Sequence, residues 1–289
     1  MSFSLCMMVK NEAGRLGRCL ESVAGLAPEL VVVDTGSTDD TGRVAAAFGA
    51  RVIPFDFGFV DFSAARNAAL AAARGRWILV LDADERVTAA SLPLIRALIE
   101  KDENAGYYLE RDNGTAVDHV VRLFPNRADY RYRGRVHETI DHAILAGGGK
   151  LIPTPIRLEH DFAGDREARR RKNFWYIEIL KEELAANPLD DSRLDFLAAE
   201  YHQLAMFDEA TAVMEEIARR RPSDARAHLF AGTYHLLYKP DFKQARRDFE
   251  RALELQPDYS EAESFLRLLD SKESGAGGSQ SSILLPSES

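Results

Sequence analysis

The sequence predicts an α/β domain with a mainly parallel sheet, followed by an all-α domain. Three observations lead there. Apolar strand-like runs alternate with helical segments over the first hundred residues. From Gly106 the texture changes to short strands joined by turns. After about Arg166 every segment is helical, and Pro188, Pro222 and Pro257 recur at intervals of 34 and 35 residues. Alternating strands and helices imply a parallel, doubly wound sheet; the later turns imply an antiparallel portion closing it.

In chain order, "FSLCMMV" (3–9) reads as a buried strand, and a helix follows from about Ala13 to Gly25. "ELVVVD" (29–34) is a second strand. "STDDTGRVAAAFG" supplies several capping residues, a helix body and Gly49 as its stop. "RVIPF" is a short third strand. "DFSAARNAALAAARG" is an Ala-rich helix, with Ser63 as its cap and Gly75 just past its end. Trp77 to Asp82 is the fourth strand; its run from Trp77 to Leu81 is unbroken and apolar, which suits burial on both faces. Thr88 is expected to cap a helix starting near Ala89. "YYLERDNGTAVDHVVRLF" carries an Asn113-Gly114 turn between two strand-like runs, a hairpin signal. "YRYRGRVHETI" and "KLIPTPIRLEHDF" continue as short strands.

In the helical half, a period near 34 is the length of a tetratricopeptide repeat. Leu194, Leu197, Ala198, Tyr201, Ala210 and Met214 fall at its large and small positions. Gly232, His235, Ala245, Phe249 and Ala252 do so in the next unit, with one residue inserted near "KPDF". The stretch 170–270 resembles tetratricopeptide repeats, preceded by a half repeat (Phe174 to Pro188) and followed by a capping helix (Ser260 to Leu269). The expected domains are 1–165, 166–270 and a disordered Ser/Gly-rich tail over 271–289.

Composition sets limits on function. With 37 basic against 46 acidic residues the net charge is −9, which argues against general nucleic-acid binding. Cys6 and Cys19 have neither metal-ligand spacing nor partners for a disulfide framework, and buried, reduced thiols are expected. The N-terminus lacks signal-peptide features, and no apolar run approaches the ~18 residues of a membrane span. A cytoplasmic protein is expected, either free or at the inner face of the membrane.

Chemistry-bearing residues gather at strand ends, where open α/β sheets place their ligands. Lys10, Asn11 and Glu12 follow the first strand. Asp34 ends the second and leads into Gly36, Ser37, Asp39 and Thr41. Arg66 and Asn67 lie on the Ala-rich helix. Asp82, Asp84 and Glu85 follow the fourth strand. Singly, each has an ordinary role as a cap or a surface ion pair. Three acids within four residues, however, repel one another unless a cation or donor network separates them.

"CMMVKNE", "VVVDTGSTDDT", "FSAARNAAL" and "ILVLDADE" together resemble the successive motifs of glycosyltransferase family 2, over roughly residues 1–140. The resemblance is to the bacterial variety to which tetratricopeptide repeats are often attached. It implies a GT-A fold and a metal-dependent, inverting hexosyltransferase using a UDP-sugar. Asp82-Ala83-Asp84 matches the DxD motif: Asp84 would bind Mn²⁺ or Mg²⁺, and Asp82 would contact ribose or a metal-bound water. Asp34 would hydrogen-bond the uracil, Arg66 would lie against the nucleobase or diphosphate, and Glu12 would sit at the nucleotide mouth. Many members carry two acids before the Gly-Ser; here the second is Thr35.

A base must take the acceptor's proton, and the "RVHE" stretch, a recurrent feature of this variety, supplies His137 and Glu138, with Glu138 favoured. Glu159, His160 and Asp161 are further candidates, His160 as a late metal ligand or diphosphate contact. Of Arg122, Arg127, Arg131, Arg133 and Arg135, one or two would face phosphate. "REARRRK" (166–172) reads as a solvated face, with contact to an anionic membrane or acidic acceptor as the sharper alternative. The acceptor would be a glycan, a lipid-linked glycan or a peptide, and the repeats would orient it or mediate self-association. A pyrophosphorylase or a dehydrogenase would need a Gly-rich phosphate loop after the first strand, where "KNEAGRLG" stands. The non-enzymatic alternative is a tetratricopeptide scaffold on an inactive transferase domain.

Overall fold

The computed structural model describes residues 3–26, 28–58, 60–114, 116–161 and 166–273. The chain divides into two compact units between residues 163 and 164.

The first unit is built on one sheet. Strands β1 (Phe3–Val9), β2 (Glu29–Asp34), β3 (Arg51–Pro54) and β4 (Trp77–Val80) run parallel in the order β3-β2-β1-β4. The connections are the helices α1 (Ala13–Val23), α2 (Thr41–Ala47) and α3 (Phe62–Ala72). β1 alternates faces as a strand must. Phe3, Leu5, Met7 and Val9 join Leu16, Cys19, Leu20 and Val23 of α1 in one core. Cys6 joins Ala65, Ala69 and Leu70 of α3 in the other. Both faces are covered, which is why these strands are apolar throughout. Gly75 permits the tight entry into β4: a Cβ there would lie 2.4 Å from the backbone of Phe3.

The hairpin forms as its turn predicts. β6 (Ala105–Asp112) and β7 (Val117–Pro125) pair antiparallel, and Gly114 has φ 77°. β7 pairs antiparallel with β4, β6 parallel with β8 (Lys150–His160), and β8 antiparallel with β5 (Glu85–Val87). The strand order is β3-β2-β1-β4-β7-β6-β8-β5. Between β4 and β5 lie only residues 81–84, yet the two strands are four places apart. Four spacings in a flat sheet span about 19 Å, whereas five residue steps reach at most about 18 Å when fully extended. The sheet must therefore curl, and that brings the end of β8 against the β4–β5 loop. Asp161 N–H accordingly donates to the Asp84 carbonyl at 2.8 Å.

Several expectations are corrected. The cap of α3 is Asp61, whose carboxylate accepts from Ala64 N–H at 2.8 Å; Ser63 only donates to that carboxylate. The fourth strand stops at Val80, and Glu85 begins a strand of its own. Beyond Thr88 comes a 3₁₀ turn (Ala89–Ser91) before helix α4 (Leu92–Ile99), and the Thr88 hydroxyl pairs with that of Ser91 instead of a backbone N–H. "YRYRGRVHETI" forms only a single bridge, Arg133 with Thr139, before helix α5 (Asp141–Ala146). Gly134 and His137 have φ 98° and 49°, which breaks any strand there.

The second unit is a stack of helices: α6 (Arg166–Ala186), α7 (Asp191–Gln203), α8 (Phe207–Arg220), α9 (Ala225–Leu237), α10 (Phe242–Leu255) and α11 (Ser260–Glu273). The three periodic prolines each lie two residues past the end of α6, α8 or α10, where a helix cannot continue through them. Asp224 and Asp241 cap α9 and α10 through their side chains. Gly232 of α9 lets Phe249 of α10 approach closely, and Phe249 stacks on Phe265 at 5.0 Å. Residues 271–273, assigned from sequence to the tail, belong to α11; the rest of that tail lies outside the described residues. Among the described residues no helix is long and apolar enough to cross a membrane.

Candidate active site

The loops leaving β1 and β2 are stitched together by side chains. Asn11, at φ 56°, accepts from Thr38 N–H at 2.7 Å, and its own N–H donates to Ser37 Oγ at 2.9 Å. Glu12 N–H donates to Thr41 Oγ1 at 2.7 Å. Asp34 Oδ1 accepts from Gly36 N–H and Ser37 N–H at 3.1 and 2.8 Å, so its first duty is to shape the tight turn. Thr35 is buried and its hydroxyl donates to Val9 carbonyl at 3.1 Å. The position where the resemblance implies a second acid thus faces β1 here.

The three acids after β4 have three different fates. Glu85 is fully buried. It accepts from Asp82 N–H at 2.9 Å, from Arg122 at 2.6 Å and from Arg111 at 3.4 Å. Asp82 is shared by two arginines: Oδ1 accepts from Arg66 Nη2 at 2.8 Å and Oδ2 from Arg122 Nη2 at 2.6 Å. Burial alone would raise the Asp82 carboxyl, but Arg122 and Arg66 outweigh it and hold it well below the usual carboxylate range. Only Asp84 points elsewhere, toward His160 Nε2 at 3.4 Å and Arg15 at 3.8 Å.

Around Asp84 the groups form a second chain. Arg15, one turn into α1, binds Glu12 at 2.9 Å. Burial raises the Glu12 carboxyl against the opposing pull of Arg15, with Asp84 adding to the rise. His160, the last residue of β8, is oriented from behind: its Nδ1 lies 2.6 Å from Asn113 Oδ1. Asn113 also hydrogen-bonds Asp118, which only its amide N–H₂ can do, so its oxygen faces the histidine. Nδ1–H must then donate, and in the neutral ring Nε2 turns its lone pair toward Asp84. A proton on Nε2 or a metal ion between the two groups satisfies both, and an imidazole fixed through its other nitrogen is how metal-binding histidines are held. Asp84 and His160 are the two donors that a divalent metal would find here. Among the described residues no group of three or more His, Cys, Asp or Glu is placed to hold a metal unaided.

Arg66 joins the remaining candidates. Its side chain is 8% exposed, and its Nε donates to Glu138 Oε1 at 2.6 Å while Nη2 holds Asp82. Asp82 and Glu138 raise the Arg66 guanidinium well above its ordinary value, overcoming burial, which acts to lower it. Its neighbour Asn67 is spent structurally, exchanging two hydrogen bonds with the backbone of Tyr132. His137 sits beside Glu138 in the left-handed region. The Asp161 carboxylate pairs with Arg18 at 2.9 Å, and Glu159 with Arg86 at 3.3 Å.

Of the five arginines before "VHE", one or two of which are expected to face phosphate, four have partners within the chain. Arg122 is buried on Asp82 and Glu85, Arg127 pairs with Asp129 at 2.9 Å, and Arg131 and Arg135 donate to backbone carbonyls. Sequence reasoning missed Arg15, Arg111 and the orienting role of Asn113. Arg15 was legible as the i+3 partner of Glu12 on one helix face, and Arg122 as a charge inside the apolar run "HVVRLF".

These motifs define a class before any comparison: a GT-A-like sheet whose DxD loop lies against a histidine and an arginine–glutamate pair. The chain belongs to glycosyltransferase family 2, whose model matches residues 4–156. A TPR repeat-containing protein of Synechococcus elongatus is 37% identical over 198 residues, 65% of this chain and 49% of that protein. The SPbeta prophage-derived glycosyltransferase SunS of Bacillus subtilis is 26% identical over 218 residues, 71% of this chain and 50% of SunS. The chain spans about half the length of these relatives. S. aureus TarS 1-349, solved in complex with UDP-GlcNAc, shares the fold with a TM-score of 0.53 at 15% identity, over 95% of this chain and 92% of that one. The first unit is a glycosyltransferase domain with the GT-A fold, and the second is tetratricopeptide-like.

Proposed function

We propose that the protein transfers a sugar from a UDP-sugar to a glycan, lipid-linked or peptide acceptor by single displacement with inversion, using Mn²⁺ or Mg²⁺. The observation that carries this reading is the separation of the DxD acids. Asp82 is committed to arginines, while Asp84 faces an oriented His160 at 3.4 Å. That leaves Asp84 and His160 to hold the metal. When bound, it would stabilise the negative charge that develops on the departing diphosphate.

The chain's own residues supply the rest. Arg66 brings positive charge into a largely buried position beside Asp82, where it favours an anionic donor. Glu138, braced through Oε1, uses its second oxygen to take the acceptor's proton. The acceptor oxygen or sulfur then forms its bond to the anomeric carbon as the bond to the diphosphate oxygen breaks, and that oxygen keeps the electron pair. Asp34 and Glu12, at the ends of β2 and β1, would line the nucleotide side. Residues 1–165 would carry this chemistry, and 166–270 would orient the acceptor or a partner. The UDP-GlcNAc bound to TarS and the glycosyltransferase name of SunS support a nucleotide-sugar donor.

Calorimetric titration of UDP with and without Mn²⁺, on the wild type and on Asp84→Ala, tests this. Metal-dependent binding that the variant loses is expected. A folded wild-type protein that binds no UDP under either condition would overturn the UDP-sugar reading.

A further inference from the structure

Arg122 and Glu85 have no place in the transfer chemistry, yet both are buried in the wall of the site. An ion inside a protein is costly unless fully paired, so their burial needs a reason. They are two links of one alternating chain of charge: Glu138, Arg66, Asp82, Arg122, Glu85, Arg111 and Asp118. Its successive contacts are 2.6, 2.8, 2.6, 2.6, 3.4 and 2.5 Å.

The geometry at Arg66 shows what the chain does. A guanidinium facing a lone carboxylate prefers the two-pronged pairing, with two parallel N–H groups on two oxygens. Arg66 does not make it. It gives Asp82 one N–H and keeps Nε for Glu138, and its Nη1 is buried without a partner. The reason is visible on Asp82: Oδ2 is already taken by Arg122 at 2.6 Å. Glu85 in turn holds Arg122 in place and accepts from the Asp82 N–H, so Arg122 and the Asp82 backbone share one anchor.

We infer that Arg122, anchored by Glu85, is a positioning residue for sugar transfer: by occupying one oxygen of Asp82 it prevents Arg66 from closing on that carboxylate and so keeps Arg66 on Glu138. The inference rests on the reading of Glu138 as the base. Removing Arg122 frees Asp82 Oδ2, so Arg66 turns Nε together with Nη2 onto both Asp82 oxygens, and Glu138 loses its brace although Arg122 never touches it.

A double-mutant cycle tests the coupling without any substrate. Arg122→Met, Glu138→Gln and the double variant are unfolded in urea as full chains. Because Glu138 is already released in Arg122→Met, the double variant should be more stable than the product of the single effects implies, by about fivefold or more in the unfolding equilibrium. Additivity within about twofold, the behaviour of independent sites, overturns the inference. Should Arg122→Met not fold, Glu85→Gln replaces it in the same cycle with the same two outcomes.

Catalysis supplies the second arm. Turnover by Arg122→Met should fall by roughly 100-fold in kcat, the scale of a misplaced general base, with KM for the donor little changed. Arg122→Lys, which can still occupy Asp82 Oδ2, should restore most of it. A loss confined to KM, or no rescue by lysine, also overturns the positioning role. A wild type that turns over no UDP-sugar would refute the donor assignment instead, and the urea cycle would still decide whether Arg122 and Glu138 are coupled.

Discussion

Each unit buries a cluster of charge, and the two are made from different materials. In the first unit, Arg66 and Arg122 bracket Asp82 and end on Glu138 and Glu85. Guanidinium groups stay charged at any pH a protein experiences, so this cluster is permanently ionic. In the second unit, His235 of α9 lies between Asp248 of α10 at 3.1 Å and Glu215 of α8 at 2.8 Å. A carboxylate only accepts, and a neutral imidazole donates from one nitrogen only. Both contacts are satisfied only by the protonated ring. One cluster is therefore fixed and sits at a site that must stay ordered, while the other joins three helices through a group whose pKa is raised above its ordinary value. Location follows material: arginine where charge is needed for chemistry, histidine where packing does most of the holding.

The largest expected effect would break the comparison from the first side. Arg66→Met leaves Asp82 with one partner and Glu138 with none, and breaking a buried pair from one side costs about 3–5 kcal/mol. Urea unfolding should show a loss of that size. A loss under about 1 kcal/mol would mean that solvent reaches these acids freely and that the cluster is not a buried framework.

A smaller effect probes the claim that packing holds the second unit. A Cβ at Gly232 would lie 2.7 Å from the ring of Phe249. That ring is fully buried and stacked on Phe265, so it has nowhere to go. Gly232→Ala should cost about 1–3 kcal/mol through overpacking, despite the better helix propensity of alanine. A stabilised variant, measured by thermal unfolding, would show that α9 and α10 can slide apart cheaply.

The same contrast explains what could be read from the sequence. Periodicity gave away the elements: the apolar runs of β1, β2 and β4, the Asn113-Gly114 hairpin and the 34-residue proline spacing all express local rules of side-chain direction and turn geometry. The motif acids could be placed at strand ends for the same reason. What stayed hidden is who pairs with whom across long separations. Asp82 meets Arg122 forty residues later, and Asp84 meets His160 only because the sheet curls. Nothing local distinguishes Glu85 from Asp84, yet one is sealed and the other faces an oriented histidine. The capping of α3 failed on a finer point: Asp61 and Ser63 are both good caps, and the start of the helix at Phe62 decides between them.

The last effect is the smallest and separates the two clusters by pH. Hydrogen bonding to Asp248 raises the His235 pKa, Glu215 adds to it, and burial works against both; Gln244 also bonds Asp248 and helps hold it in place. A raised folded-state value means that the stabilisation is fully present below the unfolded value of about 6.5 and is lost as pH rises through the folded value. Asp82 behaves oppositely. Its lowered carboxyl contributes fully above the unfolded value of about 3.9 and loses that contribution only as pH falls far into acid. From about pH 6.5 upward through the raised folded-state value, the arginine cluster is therefore silent and the histidine cluster is not. Thermal stability of the full chain should decline across that window by the equivalent of about 1 kcal/mol, the scale of one typical intramolecular hydrogen bond. His235→Asn keeps one donor but cannot titrate, and it should flatten the His235 share of the slope while lowering stability at pH 6. An unchanged slope in that variant would assign the pH dependence to other histidines and leave His235 as a neutral packing residue.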